Sequence, residues 1–231
     1  MTASPQPRAP RVRSEARSPR IREKRRRRRA EILQAALQAF RNKGYSTTTL
    51  NDIAQQLDVS KTALYHYFPD KESILQECHQ ESVAELERIL REASRLKTPT
   101  AKLTHIIREH VRLMTDTLGG SPLGFEITAL SSKKRASLIV GRDQYEHELR
   151  KIIEQGMKTG EFRRGNAKVA VFVILGAINW MARWYRPEGT LHFAELGDEF
   201  ARRLLDGLGS SERPRNPNGN RTRRARAMKR E

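Results

Sequence analysis

The sequence predicts an all-α protein in which an N-terminal three-helix domain precedes a larger helical domain. Apolar residues recur at the helical period through almost every segment between Ala30 and Leu208. No segment shows the sustained alternation of polar and apolar residues that is typical of a strand. Glycine and proline interrupt the periodic segments at intervals expected for helix ends. Each element can be justified in chain order.

The first three predicted helices are short and closely spaced. The first ends at Gly44, a residue that readily adopts the left-handed conformation of a helix end. The second begins at Thr49, where Asp52 three residues later can complete a capping box. The third begins at Lys61 and runs to Pro69, which disfavours helical angles in the residue before it. The apolar stripe of the first helix is Ile32, Leu33, Ala36, Leu37 and Phe40.

The second and third helices are joined by only three residues, 58–60, which is the spacing of a helix-turn-helix. In that motif the second helix of the pair enters the major groove of DNA. Asp58 stands where glycine is commoner, but aspartate tolerates the left-handed conformation better than most side chains. The first helix lies directly upstream and can brace the pair.

The third helix is expected to expose polar and aromatic side chains. Its buried side is accounted for by Val59, Ala63, Leu64 and Phe68. The other face carries residue types that suit phosphate and base-edge hydrogen bonds, namely Lys61, Thr62, Tyr65 and His66. Lys71 opens the next helix, where its charge opposes the helix dipole and favours an external anion such as a DNA phosphate. The alternative is that Tyr65, His66 and Tyr67 are packing aromatics.

Five further helices complete the predicted domain behind this motif. The fourth is capped by Asp70, and Thr98 and Pro99 mark the break after it. The other four helices are expected at Leu103–Leu118, from Leu138 to near Gly160, at Ala167–Tyr185 and at Leu191–Leu208. Gly119 and Gly120 end the first of these four, and a shorter element is expected at Leu123–Leu130.

The net charge of +18 on 231 residues is concentrated in the two tails. Residues 1–29 carry +10 and residues 210–231 carry +6, so the segment between them is nearly neutral. Such like-charge blocks are typically disordered, and we predict domains at 1–29 (basic arm), 30–71 (helix-turn-helix), 72–209 (helical domain) and 210–231 (basic tail). Arg25–Arg29 either lie along DNA, in the minor groove or on the backbone, or form a solvated non-specific arm.

Composition also excludes several classes of protein. The single cysteine, Cys78, excludes an intramolecular disulfide and a multi-cysteine metal site, as expected in a reducing cytoplasm. The longest apolar run, Val169–Ile178, is shorter than the roughly 18 residues of a membrane-spanning helix, and no secretory signal is visible. No zinc-binding HExxH motif or nucleophile elbow is present. We therefore expect a cytoplasmic protein that is not an enzyme, with no catalytic residues, no metal and no membrane partner.

The segment "ILQAALQAFRNKGYSTTTLNDIAQQLDVSKTALYHYFPDKESI" resembles the N-terminal domain of the TetR family of regulators over about 45 residues. The resemblance implies a homodimer that reads a palindrome in double-stranded DNA, and a C-terminal domain that binds a small molecule. Repression is the usual action in that family. The resemblance places DNA contacts at Thr49, Lys61, Thr62, Tyr65, His66, Tyr67 and Lys71.

A second, shorter resemblance concerns the effector. Trp180 and Trp184 are four residues apart on a helix face, with Arg183 and Arg186 nearby, and rings beside guanidiniums suit a ligand with a base and phosphates. The string from Ile178 to Gly189 is similar to that of TetR-family repressors of fatty-acid, phenylacetate and steroid-ring catabolism, which respond to acyl-CoA thioesters. The alternative is that both tryptophans lie in a dimer interface.

Other assignments stay open at this level. His110 and Met114 could line an acyl pocket or belong to the core. The helices Ala167–Tyr185 and Leu191–Leu208 are predicted to form the dimer surface as part of a four-helix bundle, or else to complete the monomer core. No cofactor is expected apart from the effector. The rival functions are a regulator that responds to another lipophilic molecule, an acyl-CoA enzyme, and a non-specific protein that binds nucleic acid or a membrane surface through its basic tails.

Overall fold

The computed structural model describes residues 19–115, 127–186 and 189–209. Within these ranges the protein contains helices and no strand beyond one isolated bridge between Phe162 and Gly209. A single turn of 3-10 helix spans Ile127–Ala129. The α-helices are α1 (Pro19–Lys43), α2 (Leu50–Gln56), α3 (Lys61–Tyr65), α4 (Lys71–Ser94), α5 (Pro99–Thr115), α6 (Ser132–Thr159), α7 (Ala167–Trp184) and α8 (Phe193–Leu208). The predicted all-α class is confirmed.

The helices bury two separate hydrophobic cores. The N-terminal core is formed by α1 to α3 and the first turns of α4, where Ile74 and Leu75 are buried. The C-terminal core lies between α5, α7, α8 and the later turns of α4 and α6. The predicted boundary after Lys71 therefore falls at the start of a helix that contributes to both cores.

Helix α6 also contributes to both cores. Its first turns bury Leu138 in the N-terminal core, together with Leu130 just before the helix. Two turns later Tyr145 and Leu149 are buried in the C-terminal core. Glu72 at the start of α4 accepts a hydrogen bond of 2.7 Å from the Ser131 backbone N–H, so the first turns of the two helices are tied together.

The basic segment before residue 30 differs from its prediction. We expected residues 1–29 to be disordered, but α1 begins at Pro19, so residues 19–29 are helical. Arginine, lysine and glutamate are good helix formers, and proline is favoured in a first helical turn. Pairs along the helix add support, since Arg26 lies 2.9 Å from Glu23 and Arg28 lies 2.7 Å from Glu31. Residues 1–18 and the predicted tail 210–231 lie outside the described residues.

The predicted turn residues are confirmed. Gly44 and Gly160 end their helices at φ values of 82° and 80°, and Asp58 adopts φ 52° in the turn between α2 and α3. Helix α3 is shorter than predicted, because the Tyr67 and Phe68 N–H groups both bond the Leu64 carbonyl in a turn. Leu118, Gly119, Gly120 and the start of the element predicted at Leu123–Leu130 lie outside the described residues.

Two exclusions can be compared with the structure. In the described ranges no helix is long and apolar enough to cross a membrane. Those ranges also bring together no group of three or more histidine, cysteine or acidic residues that could hold a metal ion.

Cys78 is buried in the N-terminal core, and burial raises the pKa of its thiol. A buried thiol with a raised pKa is a poor nucleophile.

Candidate DNA-binding surface and effector region

The turn between α2 and α3 fixes the position of α3 through local contacts. The Val59 N–H donates to the Ala54 carbonyl at 3.0 Å across the left-handed Asp58. The Ser60 hydroxyl caps α3 by accepting a hydrogen bond of 3.1 Å from the Ala63 N–H. Leu64 and Phe68 are each only 1% exposed, so the inner side of this short helix is held by the N-terminal core.

The outer side of α3 presents four of the predicted DNA-binding residues to solvent. Lys61, Thr62, Tyr65 and His66 are all exposed, and the Tyr65 side chain is 47% exposed. The Lys61 ammonium lies 5.7 Å from the centre of the Tyr65 ring. An ammonium, a hydroxyl, a phenol and an imidazole are therefore all exposed on this side of the helix, as the sequence predicted. Tyr67, also predicted to contact DNA, is half-buried beside it.

Thr49 is exposed at the start of α2, and its predicted capping box with Asp52 is confirmed. The Thr49 hydroxyl accepts from the Asp52 N–H at 3.2 Å, and the Thr49 N–H donates to the Asp52 carboxylate at 2.8 Å. Lys43 also reaches this carboxylate, at 2.6 Å, and that bond is the main reason why the Asp52 pKa is lowered. The hydroxyl of Thr49 thus has a structural role in addition to its predicted DNA contact.

Lys71 was predicted to bind an external anion such as a DNA phosphate, but in the structure its ammonium contacts backbone carbonyls of the protein. Its ammonium donates to the backbone carbonyls of Tyr45 at 2.5 Å, Thr48 at 2.7 Å and Ser46 at 3.3 Å. It also lies 4.3 Å from the centre of the Tyr45 ring. These contacts join the start of α4 to the loop between α1 and α2, so the geometry favours a structural role for Lys71.

We expect Lys71→Met to lower the stability of the protein. The variant keeps the apolar stem of the side chain but leaves the carbonyls of Tyr45, Ser46 and Thr48 without their charged donor. We expect a loss of about 2 kcal/mol and a fall of roughly 4–8 °C in the thermal midpoint. Differential scanning calorimetry measures this. Lys97→Met, at an exposed lysine between α4 and α5, is the control. An unchanged midpoint with weaker DNA binding would instead support a direct phosphate contact.

Arg29 joins three elements and was not singled out from the sequence. Its guanidinium bonds the Glu77 carboxylate on α4 at 2.9 Å and donates to the Tyr67 carbonyl at 2.9 Å. The same group lies 4.4 Å above the centre of the Phe68 ring. The sequence carried a signal for this role, because Arg29 is three residues before Ile32 and falls on the buried face of α1.

The effector candidates His110 and Met114 are both buried in the C-terminal core, at 2% and 1% exposure. The His110 Nδ1 atom lies 3.2 Å from the Tyr145 hydroxyl on α6, and the two rings meet edge to face at 5.5 Å. The His110 Nε2 atom is buried and has no hydrogen-bond partner within the described ranges. One polar atom therefore faces the apolar interior uncompensated.

The electrostatics of this interior favour a neutral imidazole. Burial, assisted by the nearby positive charge of Arg142, lowers the pKa of His110 to about 4. Burial also raises the pKa of the Tyr145 phenol and lowers that of the Arg142 guanidinium. The imidazole and the phenol are thus both uncharged near neutral pH, and each can exchange a hydrogen bond with a polar ligand atom.

The four other effector candidates lie elsewhere. Trp180 is 64% exposed and Trp184 is 39% exposed, on the side of α7 opposite its buried residues. Arg183 and Arg186 are exposed near them, and the Arg186 guanidinium donates to the Tyr185 carbonyl at 3.0 Å. The structure therefore brings His110 and Met114 together inside the domain, and it brings the two tryptophans and Arg183 together on its surface.

The exposed side of α7 is mostly apolar, with the charged residues Lys168 and Arg183 near its two ends. Its large residues recur at helical spacing and are 39–64% exposed; they are Val169, Phe172, Val173, Trp180 and Trp184. Gly176 lies within the same stripe, and a Cβ atom built there would meet open space. An exposed apolar surface of this kind is typical of a protein interface. By contrast, the exposed residues of α8 are largely charged, including Glu195, Asp198, Arg202 and Arg203.

An outward-facing recognition helix, braced by α1 and followed by a separate helical domain, defines a helix-turn-helix transcriptional regulator. Two family profiles match the chain. "Bacterial regulatory proteins, tetR family" matches residues 32–78, and "Tetracyclin repressor-like, C-terminal domain" matches residues 96–208. The chain belongs to the TetR family. Members of this family are regulators that bind operator DNA, dimerise and respond to small-molecule effectors.

Several relatives match most of this chain. The TetR family regulator PfmR from Thermus thermophilus is 32% identical, with a TM-score of 0.68 over 79% of this chain and 99% of that chain. The repressor KstR2 from Rhodococcus jostii is 28% identical over 79% of this chain and 92% of its own length. The structure of AibR in complex with isovaleryl coenzyme A and operator DNA is 23% identical, with a TM-score of 0.69 over 79% of this chain and 98% of that chain.

Proposed function

We propose that this protein is a homodimeric repressor that binds a palindromic operator through α3 and is released from it by an acyl-CoA thioester. The observation that carries the DNA-binding part is the exposed surface of α3 above a buried inner side. As an operator-binding protein it would act in the cytoplasm. Relatives named as repressors, KstR2 among them, support this direction of regulation.

The proposed DNA contacts divide by position. Four residues of α3 and its end suit phosphate oxygens or base edges, namely Lys61, Thr62, Tyr65 and His66. Tyr67 and Thr49 flank this surface and are proposed as contacts with the DNA backbone. Lys71 is left out, because its ammonium is engaged by backbone carbonyls.

The proposed dimer buries the apolar stripe of α7. A two-fold axis beside this helix would pair Val173 and Trp180 with their counterparts in the second protomer, which suits a self-complementary apolar surface. Leaving this stripe in water is unfavourable, since each buried aliphatic or aromatic side chain contributes roughly 1.5–3 kcal/mol. Trp180 and Trp184 are therefore proposed first as interface residues, and their role in effector binding stays a prediction.

The proposed effector site is the buried pair His110 and Tyr145. A thioester carbonyl has only acceptor atoms, and the Nε2 atom of a neutral His110 can carry the proton that such a carbonyl needs, with Nδ1 accepting from the Tyr145 hydroxyl. Met114 lies one turn further along α5 and offers a flexible apolar surface for an acyl chain. The AibR complex with isovaleryl coenzyme A supports an acyl-CoA in a protein of this fold.

The effector proposal is tested with the double variant His110→Phe/Tyr145→Phe. Removing both partners leaves no buried polar atom of the pair unsatisfied, so the variant is expected to fold. We expect an acyl-CoA to release operator DNA from the wild-type protein. Release from the variant should need a concentration at least about tenfold higher, which corresponds to the loss of one hydrogen bond of roughly 1.4 kcal/mol. Gel-shift titrations with isovaleryl-CoA and longer acyl-CoA esters measure this, on a duplex selected from a random library.

The controls separate the parts of the proposal. His147→Phe removes an exposed imidazole from α6 and is expected to leave the response unchanged. Free coenzyme A tests whether the acyl group is needed. If none of the thioesters releases the wild-type protein, the acyl-CoA assignment is wrong, while selection of a duplex still supports an operator-binding protein.

A further inference from the structure

Residues 19–29 extend α1 beyond its predicted start, and the contacts of Arg29 fix which face of this extension lies beside the helix-turn-helix. That residue contacts the Tyr67 carbonyl and the Phe68 ring, just after α3. Residues four and seven positions earlier on a helix lie on the same face, and these are Arg25 and Arg22. With a rise of 1.5 Å per residue they lie about 6 Å and 10.5 Å further along the axis. They continue the row that begins at Arg29, beside the end of the helix-turn-helix.

Arg22 and Arg25 are also free of the ion pairs that engage their neighbours. Arg26 pairs with Glu23, both Arg27 and Arg28 pair with Glu31, and Arg29 pairs with Glu77. Within the described ranges neither Arg22 nor Arg25 makes an ion pair or a side-chain hydrogen bond, and both are exposed. Their guanidiniums are available to an external anion.

The charge of this extension is unfavourable for an isolated helix. The first turn of α1 contains no acidic residue, so its arginines oppose the helix dipole. Like charges three and four residues apart also repel one another along Arg22, Arg25 and Arg29. A polyanion beside this face would remove both penalties, and duplex DNA carries one charge per about 1.7 Å.

We propose that Arg22 and Arg25 bind phosphates of the operator next to each half-site, so that α1 extends the DNA contact beyond the recognition helix. This inference rests on the proposed operator binding through α3. The occupant is the same duplex, because Arg29 joins the extension directly to the end of the helix-turn-helix. Contacts with phosphate add affinity and position the protein without reading sequence.

The test compares Arg22→Gln/Arg25→Gln with Arg20→Gln/Arg27→Gln in the full chain. Both variants remove two charges from the same helix, and glutamine preserves helix propensity. Arg20 and Arg27 are nine and two residues before Arg29, on the opposite side of α1. Each variant is titrated against the duplex selected by the wild-type protein, at several salt concentrations and alongside a scrambled duplex.

We expect the first variant to bind both duplexes more weakly, with the sequence preference retained. The slope of log affinity against log salt should fall by about 0.9 for each phosphate that the protein no longer neutralises, or roughly 3.6 for a dimer. The second variant should change that slope by less than about 1. Equal slopes for the two variants would overturn this inference alone. Failure of the wild-type protein to select any duplex would overturn the proposed function and this inference with it.

Discussion

Replacing Tyr65 with alanine is expected to abolish operator binding at concentrations where the wild-type protein is saturated. Tyr65 lies at the outer end of α3, 47% exposed, with Lys61 against its ring. A well-placed contact with a base edge contributes about 1–3 kcal/mol, and the dimer loses it twice. We therefore expect a loss of about 2–6 kcal/mol, or at least roughly 30-fold in affinity. Fluorescence anisotropy with the selected duplex measures it.

The control for this variant is Leu96→Ala, which truncates another exposed large side chain in the connection between α4 and α5. Both variants should keep the wild-type thermal midpoint, because neither side chain is buried. If Tyr65→Ala bound the duplex as tightly as Leu96→Ala did, the recognition surface would be wrongly assigned. A fall in the thermal midpoint of Tyr65→Ala alone would point instead to a packing role for the ring.

Introducing a charge into the α7 stripe is expected to separate the protomers. Val173 is 59% exposed at the centre of this stripe, and Val173→Glu would place a carboxylate where the proposed dimer is apolar. Burying an unpaired charge costs several kcal/mol. We expect the dimer to dissociate at least about 100-fold more readily, equivalent to roughly 2.7 kcal/mol. Analytical ultracentrifugation gives the dissociation constant directly.

Val140→Glu is a matched control, since Val140 is a valine on α6 that is 70% exposed. It makes the same chemical change outside the α7 stripe and should leave the protein dimeric. Operator affinity should fall in Val173→Glu only, because a monomer presents one α3 to a site with two halves. A dimer that persisted in Val173→Glu would move the interface to another surface.

Much of the fold could be predicted because its signals are local. The stop at Gly44, the left-handed turn at Asp58 and the capping box of Thr49 and Asp52 each depend on a few neighbouring residues, and the structure confirms all of them. The exposed face of α3 could be predicted because its apolar residues were assigned to the buried side, which left the polar residues on the other side. Such inferences need no knowledge of the tertiary structure.

The remaining features depend on partners distant in sequence. Lys71 was predicted to face an external anion, but carbonyls 23–26 residues earlier surround its ammonium. Arg29 was assigned to a basic arm lying either on DNA or in solvent, and its partner Glu77 is 48 residues away. The pairing of His110 with Tyr145 spans 35 residues and two helices. Periodicity places such residues on a face and does not reveal what packs against that face.

The way in which α6 is shared between the two cores has a mechanical consequence. Leu138 lies in the N-terminal core, and Tyr145, the partner of His110, lies in the C-terminal core. The two residues are seven positions apart on α6, so about 10 Å of continuous helix joins them. Close-packed interiors transmit strain and do not absorb it. A ligand that displaced Tyr145 is therefore expected to shift Leu138 as well, and with it the core that supports the helix-turn-helix.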